Sequence, residues 1–279
     1  MTDQELEDYV AEKLRLFYAQ RLAKLRKMNL TAVLKKNSYL FRAKGVSNAA
    51  DFVENVLHAY LSSSEETAFG TLFFEPLTLE VTKTKGAIKT GSKGTDIEFD
   101  TPTKHTVIAV KSATNSQNSS AQDKQNLEFI KINQTVRAKG KAFDAILGYS
   151  YGRVSKEFPE GKIYRRLAGQ AFWEELSGDS DFYLKILRAM KEYPVRHREE
   201  YDLERTKLTN RLTQGFALNF LDVEGSIDWE KLLRFNSGSS KPEKLLSVQS
   251  DPITGASVIK EDFETEQDIS DDMIDLVDD

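Results

Sequence analysis

The 279-residue chain changes its hydrophobic period near the middle, and that change constrains its fold more than any other feature. Up to about Leu79, apolar residues recur at helical steps. Thr95 to Phe99 and Thr106 to Lys111 are instead short strand-length runs around the turn-forming Thr101, Pro102 and Thr103, and they read as a hairpin. The polar stretch Ser112 to Ser120 leads into a renewed helical period over 121–138. Ala142 to Tyr149 is then an apolar strand ended by Gly152 and Arg153, and Lys162 to Leu167 reads as a further strand. Helices, a hairpin, a helix, strands and helices again predict an α/β core with helical additions at both ends.

The flanking helices can be placed individually. Over 5–28, Leu6, Val10, Leu14, Phe17, Leu22, Leu25 and Met28 form one apolar face, and Lys13, Arg15, Arg21, Lys24 and Lys27 lie opposite. A second helix spans 48–61, with Asn48 as N-cap and Phe52, Val56, Leu57 and Tyr60 inward. Ser62, Ser63 and Ser64 before Glu65 and Glu66 predict a capped third helix to about Leu79, bent or broken at Pro76. After the strands, Gly169 opens a helix with Phe172, Trp173 and Leu176 that Gly178 stops. Helices over 180–192 and about 196–221 flank Pro194, and Asp228 caps Trp229 to Phe235. Phe172, Trp173 and Trp229 read as core rather than as platforms for stacked bases.

Charge is unevenly shared. Residues 238–279 carry 3 basic and 12 acidic residues, so the net charge of −5 conceals a body with 36 basic and 32 acidic ones. Residues 13–44 hold ten Lys/Arg and no acid, and a second acid-free run holds Lys83, Lys85, Lys89 and Lys93. These runs read either as solvated faces or as an electrostatic footprint for phosphates. The tail beyond Ser237 has too little apolar surface to offset ordering entropy and is expected to be mostly disordered. Asp268 to Asp279, with Ile269, Met273, Ile274, Leu276 and Val277, can still fold on a partner. The chain has no cysteine, which excludes disulfides, thiolate catalysis and Cys-based metal sites. Its histidines, His58, His105 and His197, lack ligand spacing, and His105 is expected to be exposed near the hairpin turn. No apolar stretch approaches the ~20 residues of a membrane span, and the acidic N-terminus has no signal-peptide core.

The chemistry candidate is Asp96 to Lys111. Asp96 begins one predicted strand and Lys111 ends the next, so a hairpin can bring them together. An aspartate supplies hard oxygen to a divalent metal, and a nearby lysine can orient water or neutralise charge on phosphate. On spacing alone the pair reads equally as a surface ion pair.

These residues resemble the PD-(D/E)XK nuclease superfamily, and more specifically the PmeII-type type II restriction endonucleases. The likeness is carried in order by NSYLFRAKG (37–45), SSSEETAFG (62–70), GTDIEF (94–99), VIAVKSATNSQNSS (107–120), GYSYGR (148–153), GQAFWEELSG (169–178) and IDWEKLLRFNS (227–237). It implies a restriction-endonuclease-like core, a mixed β-sheet flanked by helices, over 1–237. That domain includes a basic helical region at about 5–61, and the acidic tail 238–279 lies outside the resemblance. By the same resemblance Asp96 is the metal-binding aspartate, Lys111 the catalytic lysine, and Glu66 the acid of the preceding helix, with Glu65 as the alternative. The superfamily expects an acid two residues before Lys111, where this chain has Ala109. Either the site is dead or another carboxylate substitutes. Glu98 is the first choice, since strand alternation puts it on the face of Asp96, and Asp123 is the second. Asn115, Gln117, Asn118 and Ser119 suit a loop that reads DNA or a plain surface loop, and Arg153 suits a phosphate or guanine or a surface salt bridge. The implied activity is Mg2+-dependent, site-specific hydrolysis of double-stranded DNA leaving 5′-phosphates. The implied setting is a homodimer in a bacterial cytoplasm, away from membranes, with a protective methyltransferase. The alternatives are a catalytically inactive DNA-binding protein of the same fold and an interaction protein using its basic face.

Overall fold

A computed structural model of the chain describes residues 1–114, 118–154, 158–250 and 257–261. The first elements are the helices α1 (Asp3–Lys27), α2 (Leu30–Leu34), α3 (Ser38–Ala43), α4 (Ala49–Phe69) and α5 (Glu75–Thr82). Strands β1 (Ile88–Lys89), β2 (Ile97–Asp100) and β3 (Lys104–Ala113) follow, then α6 (Ser119–Ala138), β4 (Ala142–Tyr151) and β5 (Arg165–Ala168). The chain continues through α7 (Gln170–Ser177), α8 (Phe182–Ala189), α9 (Tyr193–Arg196), α10 (Arg198–Phe220) and α11 (Trp229–Ser237), and then β6 (Leu246–Ser250) and β7 (Ser257–Glu261). Among the described residues, no helix is long and apolar enough to cross a membrane.

Two compact units arise, one of residues 1–24 and 62–201, the other of residues 25–61 and 202–279, and their boundaries fall within α1, α4 and α10.

The first unit is built on a mixed sheet of order β1-β2-β3-β4-β5. The predicted hairpin is antiparallel β2–β3, with Ile97 opposite Ile108. β3 and β4 are parallel, as a strand–helix–strand crossover through α6 requires, and β5 adds in parallel. The alternation of side chains sorts the core into two layers. Ile97, Ile108, Val110 and Ile146 pack with Leu6, Val10 and Leu14 of α1, Leu77 and Val81 of α5, and Phe172 and Trp173 of α7. Val107, Ala109, Ala145, Leu147 and Tyr149 pack on the other face with Phe129 of α6 and with Tyr164. β4 is buried on both faces from Ala145 to Ser150, as a central strand of a covered sheet should be. At Gly148 a Cβ would overlap the ring of Phe172, so this strand tolerates no side chain where α7 crosses it.

Two local expectations are corrected. The serine run does not cap a new helix: Ser62 to Ser64 lie inside α4, which continues to Phe69. Pro76 does not break a helix either. It sits in the first turn of α5, where its missing N–H has no intrahelical partner to lose. Between these helices Gly70 to Phe74 form a π-turn, with the Glu75 N–H bonded to the Gly70 carbonyl five residues back.

In the second unit Phe52 of α4 stacks on Phe216 of α10, their ring centroids 4.5 Å apart, and meets Phe41 and Trp229 edge-on. α2 and α3 are each capped by an asparagine side chain, Asn29 and Asn37, and were not foreseen in the sequence. Nor was the antiparallel pair β6–β7, which lies in the stretch expected to be mostly disordered. The side chain of Asn219 on α10 bonds both the N–H and the C=O of Leu246, which ties that pair to the helix.

Candidate active site

Asp96 lies just before β2, where regular pairing stops. Its N–H donates to the Ile108 carbonyl at 2.9 Å, and its Oδ2 accepts the Val110 N–H at 2.7 Å. The carboxylate therefore continues the strand ladder in place of a backbone oxygen, which fixes it at the sheet end. Lys111, near the end of β3, shares the face of Val107 and Ala109 by alternation. Its Nζ stands 4.0 Å from Asp96 Oδ2 and donates to the Val110 carbonyl at 2.9 Å. Both side chains remain about a third to a quarter exposed, at 32% and 25%. The hairpin thus brings together the two residues on which the sequence reading rested.

A third charged group comes from the π-turn. A Cβ on Gly70 would overlap Ser112 Oγ, so this glycine lets the helical backbone approach β3 beside Lys111. Five residues on, Glu75 opens α5. Burial raises its carboxyl above the ordinary value, and the neighbouring charge of Asp96 raises it further, while Lys89 and Lys111 pull the other way. Four groups therefore share one field: Asp96, Glu75, Lys111 and Lys89. Lys89 reaches it from β1, where it pairs with Ile97, and its Nζ is 3.9 Å from Glu75 Oε1.

Neither Glu75 nor Lys89 was singled out as a site residue. Lys89 was noted only as part of a basic run, and that run is not one free face. Lys83 pairs with Glu80 at 2.6 Å, and Lys85 donates to the Glu175 carbonyl. A signal for Glu75 did exist, an acid immediately before a proline at a helix start, but the resemblance assigns the helix acid to Glu66.

The remaining site residues fall elsewhere. Glu66 is exposed on α4. Glu65 is taken up structurally, accepting from Arg21 Nε at 2.8 Å and from the Tyr201 hydroxyl at 2.7 Å. Glu98 accepts from Thr90 Oγ1 at 2.8 Å and lies 3.9 Å from His105 Nε2. It lines a cleft of about 600 Å3 that also holds Asp100, Lys131, Lys139 and Lys141. His105, expected to be exposed, is only 17% so, between Glu98 and Asp100. Asp123 is paired with Lys162. Ala109 is fully buried in the layer that holds Phe129 and Leu147, where an acid would be cut off from water. Asn118 spends its side chain capping α6, accepting the Ala121 N–H at 2.9 Å, while Ser119 and Arg153 are exposed. Asn115 and Gln117 lie outside the described residues.

The donor set suits a hard divalent cation. Two neighbouring carboxylates, one of them pushed toward its neutral form, constitute a charge conflict that a cation between them relieves. Mg2+ is commonly held by one or two carboxylates, with water and phosphate oxygen completing its shell. Among the described residues, no group of three His, Asp or Glu side chains gathers closely enough to hold a metal without such help.

Residues 4–198, well over half the chain and all four clustered residues, match a family described as type II restriction endonuclease EcoO109I. The match is to that family and not to the PmeII type that the ordered motifs resemble. The mixed sheet flanked by helices is consistent with a restriction-endonuclease-like core carrying helical additions. A comparison with curated proteins finds no match.

Proposed function

The chain belongs to the EcoO109I family of type II restriction endonucleases, and from that premise we propose that it hydrolyses double-stranded DNA at a specific site with Mg2+, using Asp96, Glu75 and Lys111. The observation that carries this reading is the approach of the Lys111 ammonium to the Asp96 carboxylate beside a Glu75 carboxyl that Asp96 itself perturbs. Asp96 and Glu75 would hold the metal, with Glu75 in the role that the resemblance gives to Glu66. When bound, the ion supplies a Lewis acid that polarises the phosphodiester and acidifies water.

The protein's own groups do the rest. Val110 N–H fixes one oxygen of Asp96 and leaves the other for a ligand. Lys111, anchored on the Val110 carbonyl, places its ammonium where it can orient the attacking water and face the charge that grows on the phosphoryl oxygens. Water attacks phosphorus and gives up a proton to solvent, the P–O3′ bond breaks, and the departing 3′ oxygen takes a proton from solvent. The products are a 5′-phosphate and a 3′-hydroxyl. A homodimer matches this activity, because a two-fold palindrome presents two equivalent strands.

Purified full-length protein with Mg2+ should cut DNA of known sequence into discrete fragments ending in 5′-phosphates. Lys111→Ala should stop cutting and retain specific binding in Ca2+. A second reading, a DNA-binding protein without catalysis, is favoured by one observation, the apolar burial of Ala109 where the superfamily has an acid. Specific binding with no cleavage in either Mg2+ or Mn2+ decides for it.

A further inference from the structure

Lys89 is a second cation at the site, with no role in the reading above. It stands on β1, a two-residue edge strand whose pairing with β2 sets Lys89 opposite Ile97, next to Asp96 in sequence. The Thr90 N–H also donates to the Asp96 carbonyl at 3.1 Å, so the backbone on both sides of Lys89 is tied to the Asp96 segment. Lys89 shares the face of Ile97, the face on which α5 and Glu75 lie, whereas Lys111 belongs to the opposite face with Ala109. The two ammonium groups therefore approach the carboxylates from the two sides of the sheet. The Lys89–Glu75 contact is long, 3.9 Å, and the lysine side chain is 77% exposed, so the pair is cheap to separate.

Charge counting gives this geometry a consequence. Two carboxylates and two ammonium groups sum to zero. Once a divalent cation takes Glu75, Lys89 loses its partner and is left as an exposed cation beside the ion. A second divalent ion, by contrast, would find no third carboxylate among the described residues to hold it.

We infer that the site holds a single divalent ion and that Lys89 binds a non-bridging oxygen of the scissile phosphodiester, supplying the positive charge that a second metal supplies in two-metal nucleases. The inference rests on the proposed nuclease function, yet two of its tests do not require cleavage. With a DNA duplex bound, a Mn2+ titration followed by electron paramagnetic resonance should count one ion per chain, and two would overturn the inference. Lys89→Met should lower the slope of log affinity against log salt, measured in Ca2+, by about one phosphate contact. An unchanged slope would overturn it as well. With cleavage in hand, Lys89→Met should slow the single-turnover rate by about 10- to 100-fold at saturating Mg2+, and Lys89→Arg should stay within about fivefold of the wild type. A Lys89→Met rate within threefold of the wild type rejects the role of Lys89. Loss of all cutting by the wild-type protein rejects the nuclease reading instead, with the ion count and the salt slope still deciding this one.

Discussion

Replacing Lys111 by methionine keeps the aliphatic stem and removes the ammonium. The geometry separates what this amine does at rest from what it does in the reaction. At 4.0 Å from Asp96 Oδ2, a charge pair is worth ~1 kcal/mol in a water-like surrounding and ~4 kcal/mol at an effective dielectric of 20. Water reaches both side chains, so the resting value belongs near the lower figure, and folding stability should fall by about 1 kcal/mol or less. During cleavage DNA covers the site and negative charge builds on phosphorus-bound oxygens. A single well-placed donor under those conditions contributes roughly 100- to 1,000-fold, or about 2.7–4 kcal/mol. Lys111→Met should therefore leave the urea midpoint almost unchanged while reducing the single-turnover rate on a short cognate duplex by at least that factor. A rate within threefold of the wild type refutes the catalytic assignment. A large drop in stability refutes the claim that the pair is weak at rest.

Three further outcomes rest on the same structure. Glu75→Gln should cut the rise in thermal midpoint that Mg2+ produces while leaving the metal-free midpoint no lower, because it removes a partly buried charge that Asp96 opposes; an unchanged Mg2+ response disposes of Glu75 as a ligand. Asp144 is 16% exposed and holds both Arg165 and Lys104; burial alone would raise its carboxyl, but these donors outweigh it and leave it below the ordinary 3.8. A group depressed in this way contributes stability above its unfolded value and loses it as pH falls through the folded one. Asp144→Asn should thus cost about 3 kcal/mol in urea at pH 7, with a gap to the wild type that narrows below pH 4. Gly148→Ala should cost at least about 1–3 kcal/mol by overpacking Phe172, and a stable variant with an unperturbed tryptophan signal from Trp173 contradicts the packing described.

The fold was legible where periodicity is strong. The hairpin, the helix α6, the apolar β4 and the long α10 all follow from alternation and helical spacing, and Gly169 and Gly178 do bracket α7. Asp96 and Lys111 were readable because a hairpin converts sequence separation into proximity by a simple rule. The acid from the helix was not. Helical phase carried forward from Ser62 counts 3.6 residues per turn, and the wide turn at Gly70 breaks that count with no compositional mark beyond a glycine. Glu98 shares the face of Asp96 but is drawn toward Thr90 and His105, a matter of local partners that alternation cannot foresee. Asn118 looked like a reader of bases because asparagine does that work in grooves, yet the same side chain is equally good at closing a helix.

That wide turn also decides which side chain is offered to the end of the sheet. It takes up one residue more than an α-turn, and successive helical residues point about 100° apart. Without that extra residue a different side chain of α5 would stand beside Asp96.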